Sequence, residues 1–221
     1  GSVAERNFRP HVNCVNITPD QKYLCAVDLG VDQVKIYKFN HETGKITLVD
    51  MLRCELESAP RIIKFSPDGR FAYLICELKN YISVYSYKDG PRGPVFELLQ
   101  TISTLNDYHS SGSAACVLRF SRDWKYVLCS NAGDNSIGIF KIDRETGKLE
   151  KICILPISGD YPKAADFFPD NRHIMSLNHE TNTMTIFKIN YEKKYFSMWG
   201  KPLKVETPNC ILVSEIEKLP G

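Results

Sequence analysis

The chain lacks the features that would assign it quickly. Its 221 residues contain no apolar run approaching the ~18 residues of a membrane-spanning helix, so no membrane partner is expected. Charge of one sign is also missing, because 28 Lys+Arg face 26 Asp+Glu for a formal net charge of +2. A nucleic-acid surface needs a basic stripe to neutralise phosphates, so no nucleic-acid partner is expected either. Residues 1–13 have no apolar core of the secretory-signal type, and low-complexity tracts are absent. A folded cytoplasmic protein is therefore expected, long enough for one or two ordinary domains with a sizeable core.

Paired cysteines are absent too. Cys14, Cys25, Cys54, Cys76, Cys116, Cys129, Cys153 and Cys210 never form a C-x-x-C pair. Several sit in apolar runs such as YLCAV, YLIC, YVLC and KICIL, where cysteine acts as a small buried hydrophobe. Reduced structural thiols are the simpler reading. His11, His41, His109, His173 and His179 show no ligand spacing, so neither a metal nor a cofactor is expected. The stretch DYHSSGSA at 107–114 has no G-x-S-x-G elbow and reads as a polar loop. It lies in a long connection from which it can overhang a pocket.

What is present is a repeat. Four segments align without gaps: NCVNITPDQKYLCAVDLGVDQVKIYKF from Asn13, RIIKFSPDGRFAYLICELKNYISVYSY from Arg61, CVLRFSRDWKYVLCSNAGDNSIGIFKI from Cys116 and KAADFFPDNRHIMSLNHETNTMTIFKI from Lys163. The turn residues Pro19, Pro67, Arg122 and Pro169 are 48, 55 and 47 positions apart. The aromatics Tyr37, Tyr85, Phe140 and Phe187 repeat those separations, so the internal distance is 18 in every copy. Only the connections vary.

Each copy reads as strands. An apolar run ends at a P-D-G-like turn, a second run follows, and a polar turn leads into an alternating strand such as VKIYKF or ISVYSY. Two copies add the same hairpin, HETGK at 41–45 and RETGK at 144–148, before an outer strand. No segment shows a long 3.6-residue period. Four strands per unit of roughly 50 residues predict an all-β propeller. The blades are expected at 10–58, 59–112, 113–160 and 161–207. NCILVS at 209–214 repeats the opening NCVNIT, which predicts a closing strand of a further blade at 208–216.

Equivalent positions in blades occupy equivalent places around one axis, so the repeat itself nominates a cluster. Six residues before the turn stand Asn13, Arg61, Cys116 and Lys163; ten after it stand Leu29, Glu77, Ala132 and His179. The latter follow Asp28, Cys76, Asn131 and Asn178. Ionisable residues beside apolar runs are costly to bury unpaired. Their recurrence here predicts a polar pocket at the channel mouth, or an ion-pair network lining it. Arginine and lysine there would bind an anion, and a carboxylate beside them could act as acid or base.

The segments TPDQKYLCAVDLGVDQVKIYKF, FSPDGRFAYLICEL, LLQTIST, SNAGDNSIGIFKIDRETGKL and PNCI resemble the lactonase family of seven-bladed propellers. That family includes propeller-type 6-phosphogluconolactonases and the fungal carboxymuconate-lactonising enzyme. The resemblance implies seven blades, of which this chain holds four plus a closing strand. Missing N-terminal blades or a second chain are then expected to cover open edges. It also implies a site of His, Arg, Glu and a second Arg. The first Arg matches Arg61 and the Glu matches Glu77. Ala132 stands at the second Arg and Asn13 at the His, with His11 two residues away as the substitute.

On this reading the catalytic set is Glu77, Arg61 and His11, acting on a small anionic lactone, most plausibly 6-phosphogluconolactone. Asn13, Asp28, Asn131, Lys163 and His179 are the candidate substrate-binding residues. Arg92, in a G-P-R-G loop, and the Lys193-Lys194 turn are expected to face solvent. Asn13 and Ala132 also permit a non-catalytic propeller that binds a partner or an anionic metabolite. The resemblance allows a muconate-type cycloisomerase as a third activity.

Overall fold

A computed structural model describes residues 9–109 and 111–214. They form two compact units, the first of residues 9–109, 113–115 and 143–149, the second of 111–112, 116–142 and 150–214. Among the described residues regular structure is β apart from one short 3₁₀ turn, Leu29–Val31. The first blade is β1 (Val12–Ile17), β2 (Tyr23–Asp28), β3 (Gln33–Phe39) and β4 (Ile46–Arg53). The second is β5 (Pro60–Phe65), β6 (Phe71–Cys76), β7 (Tyr81–Gly90) and β8 (Gly93–Ser103). The third is β9 (Ala114–Phe120), β10 (Tyr126–Ala132), β11 (Ser136–Ile142) and β12 (Leu149–Pro156). The fourth holds β13 (Pro162–Phe167), β14 (His173–Asn178), β15 (Thr183–Asn190), β16 (Tyr195–Met198) and β17 (Leu203–Lys204). In every sheet the first four strands lie side by side in chain order, and in the fourth sheet β17 lies off that path, antiparallel to β15.

The repeat is visible in the hydrogen bonds. In the first turn Gln21 N donates to Thr18 O, and Thr18 N donates to Tyr23 O, both at 2.8 Å. Ser66, Ser121 and Phe168 repeat both bonds in the other copies. The turn closes through a left-handed residue each time: Gln21 (φ 57), Gly69 (φ 73), Trp124 (φ 54) and Asn171 (φ 55). In three copies a hydroxyl at the turn's start donates to the aspartate two residues on, Thr18 to Asp20, Ser66 to Asp68 and Ser121 to Asp123. Such local side-chain bonding is why Ser, Thr and Asp favour turns over strands.

A second left-handed position follows β2, β6, β10 and β14: Asp32, Asn80, Asn135 and Asn182, with φ of 52–53°. Asn and Asp tolerate this conformation best among non-glycine residues. Each main-chain carbonyl accepts from the chain as it leaves its blade, Cys54 N, Thr104 N, Ile157 N and Val205 N respectively. These residues route the chain from one blade toward the next.

The core of the first unit lies between its two sheets and includes Cys25, Val27, Val34, Ile36, Ile63, Leu74, Cys76 and Tyr85. Burying one such aliphatic side chain stabilises the fold by about 1.5–3 kcal/mol. The RETGK hairpin belongs to this unit. Gly147 (φ +72) lies so close that an added Cβ would sit 2.4 Å from Phe71 Cδ1, and Tyr73 Oη donates to its carbonyl at 2.9 Å. Gln100 uses both ends of its amide on the main chain of Leu149.

Residues 208–214, expected as a closing strand, carry no strand, and 215–216 lie outside the described residues. A first strand is stable only beside a second, and all four β2-type strands already pair with first strands of their own copies. The fourth sheet carries an additional short strand, β17, which pairs with Thr183 and Met184 of β15.

Candidate functional site

Two ion pairs stand at corresponding ends of the first two blades. In the second blade Arg61 lies on β5 and Glu77 directly follows β6. The chain returns here through a left-handed Ala59 (φ 53), whose carbonyl accepts from Glu77 N at 2.8 Å. That bond sets the carboxylate against the start of β5, and Arg61 Nη1 donates to Glu77 Oε2. The Glu77 side chain is 4% exposed and that of Arg61 24%. A buried carboxylate is thus matched to a guanidinium that is partly open to solvent.

In the first blade Asp28 ends β2 and is fully buried. Oδ1 accepts from the main-chain N–H of His11 at 2.7 Å, and Oδ2 from Lys35 Nζ at 3.2 Å. His11 is exposed and its carbonyl accepts from Leu29 N at 3.0 Å, so it grips the end of β2 through its main chain. Asn13, on β1, is also exposed. The structure therefore brings Arg61 to Glu77 and His11 to Asp28.

In the second unit the nominated residues are more engaged. Asn131 is fully buried at the end of β10 and its amide donates to Ser136 Oγ at 3.0 Å. Ser136 Oγ in turn donates to Asp134 Oδ2 at 2.6 Å. His179, half-buried, holds the Pro208 carbonyl at 3.2 Å through Nδ1 and receives support from Tyr161 O on its main-chain N–H. Lys163 lies on β13, half-buried. Arg92 and Lys193 are exposed in turns, and Lys194 pairs with Glu150 at 3.5 Å.

The thiols behave as small apolar groups. Burial pushes the Cys25, Cys76 and Cys129 thiols up to about 12 and Cys153 up to about 11, away from thiolate chemistry. Among the described residues no cluster of three His, Cys, Asp or Glu side chains is placed to hold a metal ion. A concavity of about 380 Å³ does exist between the turns at Pro19 and Pro67. It lies at the far end of β6 from Glu77, some 20 Å along the strand at ~3.3 Å per residue. Its carboxylates Asp20, Asp68 and Asp89 already accept from Tyr87, Arg70 and Tyr23.

Residues 1–213 match the family described as lactonase, 7-bladed beta-propeller. The chain belongs to that family. It is 27% identical to the 6-phosphogluconolactonase of Bacillus subtilis over 207 residues, covering 94% of this chain and 58% of the relative. A Lactococcus lactis protein of uncharacterized function is 37% identical over 91% of this chain and 58% of its own length. The solved periplasmic gluconolactonase of Pseudomonas aeruginosa superposes with a TM-score of 0.84 at 26% identity, covering 92% of this chain and 57% of that one. The chain here thus spans somewhat over half the length of these relatives.

For a lactonase-family chain, the two matched motif positions are the two that the structure couples, Arg61 and Glu77. At the unmatched positions Ala132 is fully buried and Asn13 exposed. Sequence reasoning missed Lys35, which reads as an ordinary polar residue of the alternating VKIYKF strand. The signal was available, because Lys35 pairs with Ala26 across β2–β3 and therefore shares a face with Asp28. It also missed Asp32, Asn80, Asn135 and Asn182, although they recur at the repeat's own spacing of 48, 55 and 47.

Proposed function

We propose that this chain supplies the hydrolytic pair of a cytoplasmic sugar-acid lactonase, converting 6-phosphogluconolactone to 6-phosphogluconate in the pentose-phosphate route. The observation that carries this reading is the buried Glu77 carboxylate tied to the partly open Arg61 guanidinium. Glu77 takes a proton from water as the water oxygen bonds to the lactone carbonyl carbon. Arg61 stabilises the resulting oxyanion with charge and N–H donors already in place. Collapse breaks the ring carbon–oxygen bond, and the proton held by Glu77 passes to the departing alkoxide. On this reading His11, just before β1, assists from the substrate side.

The test is hydrolysis of 6-phosphogluconolactone by the purified protein and by Glu77→Gln, each corrected for spontaneous ring opening. General-base removal is expected to lower kcat by about 100-fold or more. Equal rates remove Glu77 from the mechanism. A second reading, a non-catalytic propeller that binds an anionic metabolite, is favoured by Ala132 and Asn13 standing where the family pattern has Arg and His. It predicts stabilisation by 6-phosphogluconate with no turnover in either protein.

A further inference from the structure

The chain enters the second blade through a strained stretch. Glu57 (φ 63) and Ala59 (φ 53) are both left-handed, a conformation that non-glycine residues rarely take and that neither side chain favours. Ala59 also precedes Pro60, and a residue before proline is pressed toward extended backbone. Such a stretch persists only where its surroundings over-determine it. The group that does so belongs to the first blade. Asp32 accepts from Glu57 N and Ala59 N at 2.8 Å each, one N–H on each carboxylate oxygen. Asp32 is 7% exposed and Ala59 fully buried, so these bonds are shielded from water.

What the stretch holds is the Arg61–Glu77 pair. Its carbonyls accept from the chain that leaves β6, Ala59 O from Glu77 N at 2.8 Å and Ser58 O from Leu78 N at 3.1 Å. Two residues beyond Ala59, Arg61 stands in the register shift between Pro60 and Ile62, a bulge of the kind that re-aims a side chain. One carboxylate therefore fixes the backbone on both sides of the ion pair. The exits of the third and fourth blades use an amide in the same place. Asn135 Oδ1 accepts from the left-handed Tyr161 (φ 59) before Pro162, and Tyr161 O accepts from His179 N, at the register of Glu77. Asn182 Oδ1 accepts from the left-handed Thr207 (φ 42) before Pro208. An amide accepts at one end and donates at the other, and Asn135 donates to Asp160 Oδ1. Of these three exits, the one that leads to Arg61 and Glu77 has the carboxylate, which accepts at both ends.

We propose that Asp32 is a positioning residue for lactone opening: from the first blade it holds residues 57–59 in the form that sets the Glu77 carboxylate against Arg61. The inference rests on the lactonase reading of that pair but concerns its alignment, not its chemistry. Alignment matters because a displacement of about 1 Å at a reacting group can cost about 100-fold in rate.

Asp32→Asn is the test, since it keeps the size and shape of the side chain while turning one acceptor into a donor that faces a main-chain N–H. Ser66→Ala, at the opposite end of β6, loses turn hydrogen bonds in the same unit and serves as the structural comparison. Both variants are measured where urea titration shows them fully folded. The readouts are kcat and KM for 6-phosphogluconolactone and amide hydrogen exchange at Glu77 and Leu78. Asp32→Asn is expected to lower kcat about 10- to 100-fold with little change in KM, and to speed exchange at both amides about 10-fold or more. Ser66→Ala should move neither. Unchanged exchange at both amides overturns the proposal, as does a wild-type kcat in Asp32→Asn or an equal loss of kcat in Ser66→Ala. Failure of the lactonase reading looks different: the wild type does not turn the lactone over, and exchange at Glu77 and Leu78 then decides by itself whether Asp32 holds the pair.

Discussion

Asp28 and Glu77 are both buried carboxylates at the ends of β2-type strands, each facing a cation, yet they are held differently. Asp28 is closed on every side: its oxygens are occupied by the main chain of His11 and by Lys35 from its own sheet. Glu77 has its partner on β5, and the two cations are alike in exposure, 24% for Arg61 and 28% for Lys35. Nothing in the charge count separates the pairs. The difference is where the hydrogen bonds go. A carboxylate that holds a main-chain N–H fixes the fold; on the proposed reading Glu77, held by a side chain, is the one that exchanges its contact for substrate.

Two substitutions test the contrast most strongly. Glu77→Gln is expected to lose about 100-fold or more in kcat while costing only about 1 kcal/mol of stability, because glutamine still accepts from Arg61 and the guanidinium reaches water. Asp28→Ala is expected to cost about 2–4 kcal/mol, since it orphans the His11 N–H and leaves Lys35 unpartnered. Urea titration with an unchanged slope measures both. A smaller loss for Asp28→Ala than for Glu77→Gln would abolish the distinction. Lys35→Met should cost less than Asp28→Ala, at about 1 kcal/mol, because its side chain is 28% exposed and its stem still packs.

The fold was legible because a repeat supplies its own alignment. Turn residues and strand aromatics at fixed offsets imply one supersecondary unit, and the structure returns the same turn hydrogen bonds in each copy. The Arg61–Glu77 contact was legible for the same reason, since equivalent register positions converge at strand ends. What escaped depends on reach and on partners. Lys35 looked solvent-directed because alternation tells the face of a side chain but not how far its stem extends along that face. Residues 208–214 carry a first-strand pattern, but a strand is a property of a pair. That the Asn131 amide donates to Ser136, five positions on, is likewise a matter of partners. Only the relative burial of such groups tells a satisfied polar residue from an available one.

The smallest expected effect concerns a third kind of carboxylate, at the opposite ends of the same strands. At Asp68 burial pushes the carboxyl up, but hydrogen bonds from Ser66 and Arg70 outweigh it and hold the group below its ordinary value. Asp123 is lowered in the same way against burial, by Ser121 and Lys125. A carboxylate lowered in the folded state adds stability that is present above the unfolded value of about 3.9 and lost as pH falls through the folded one. The chain should therefore lose stability progressively below about pH 4, and Ser66→Ala should flatten that loss by raising Asp68 toward the unfolded value. Urea midpoints between about pH 6 and pH 3 measure the slope. An unchanged slope in Ser66→Ala would place the acid sensitivity elsewhere.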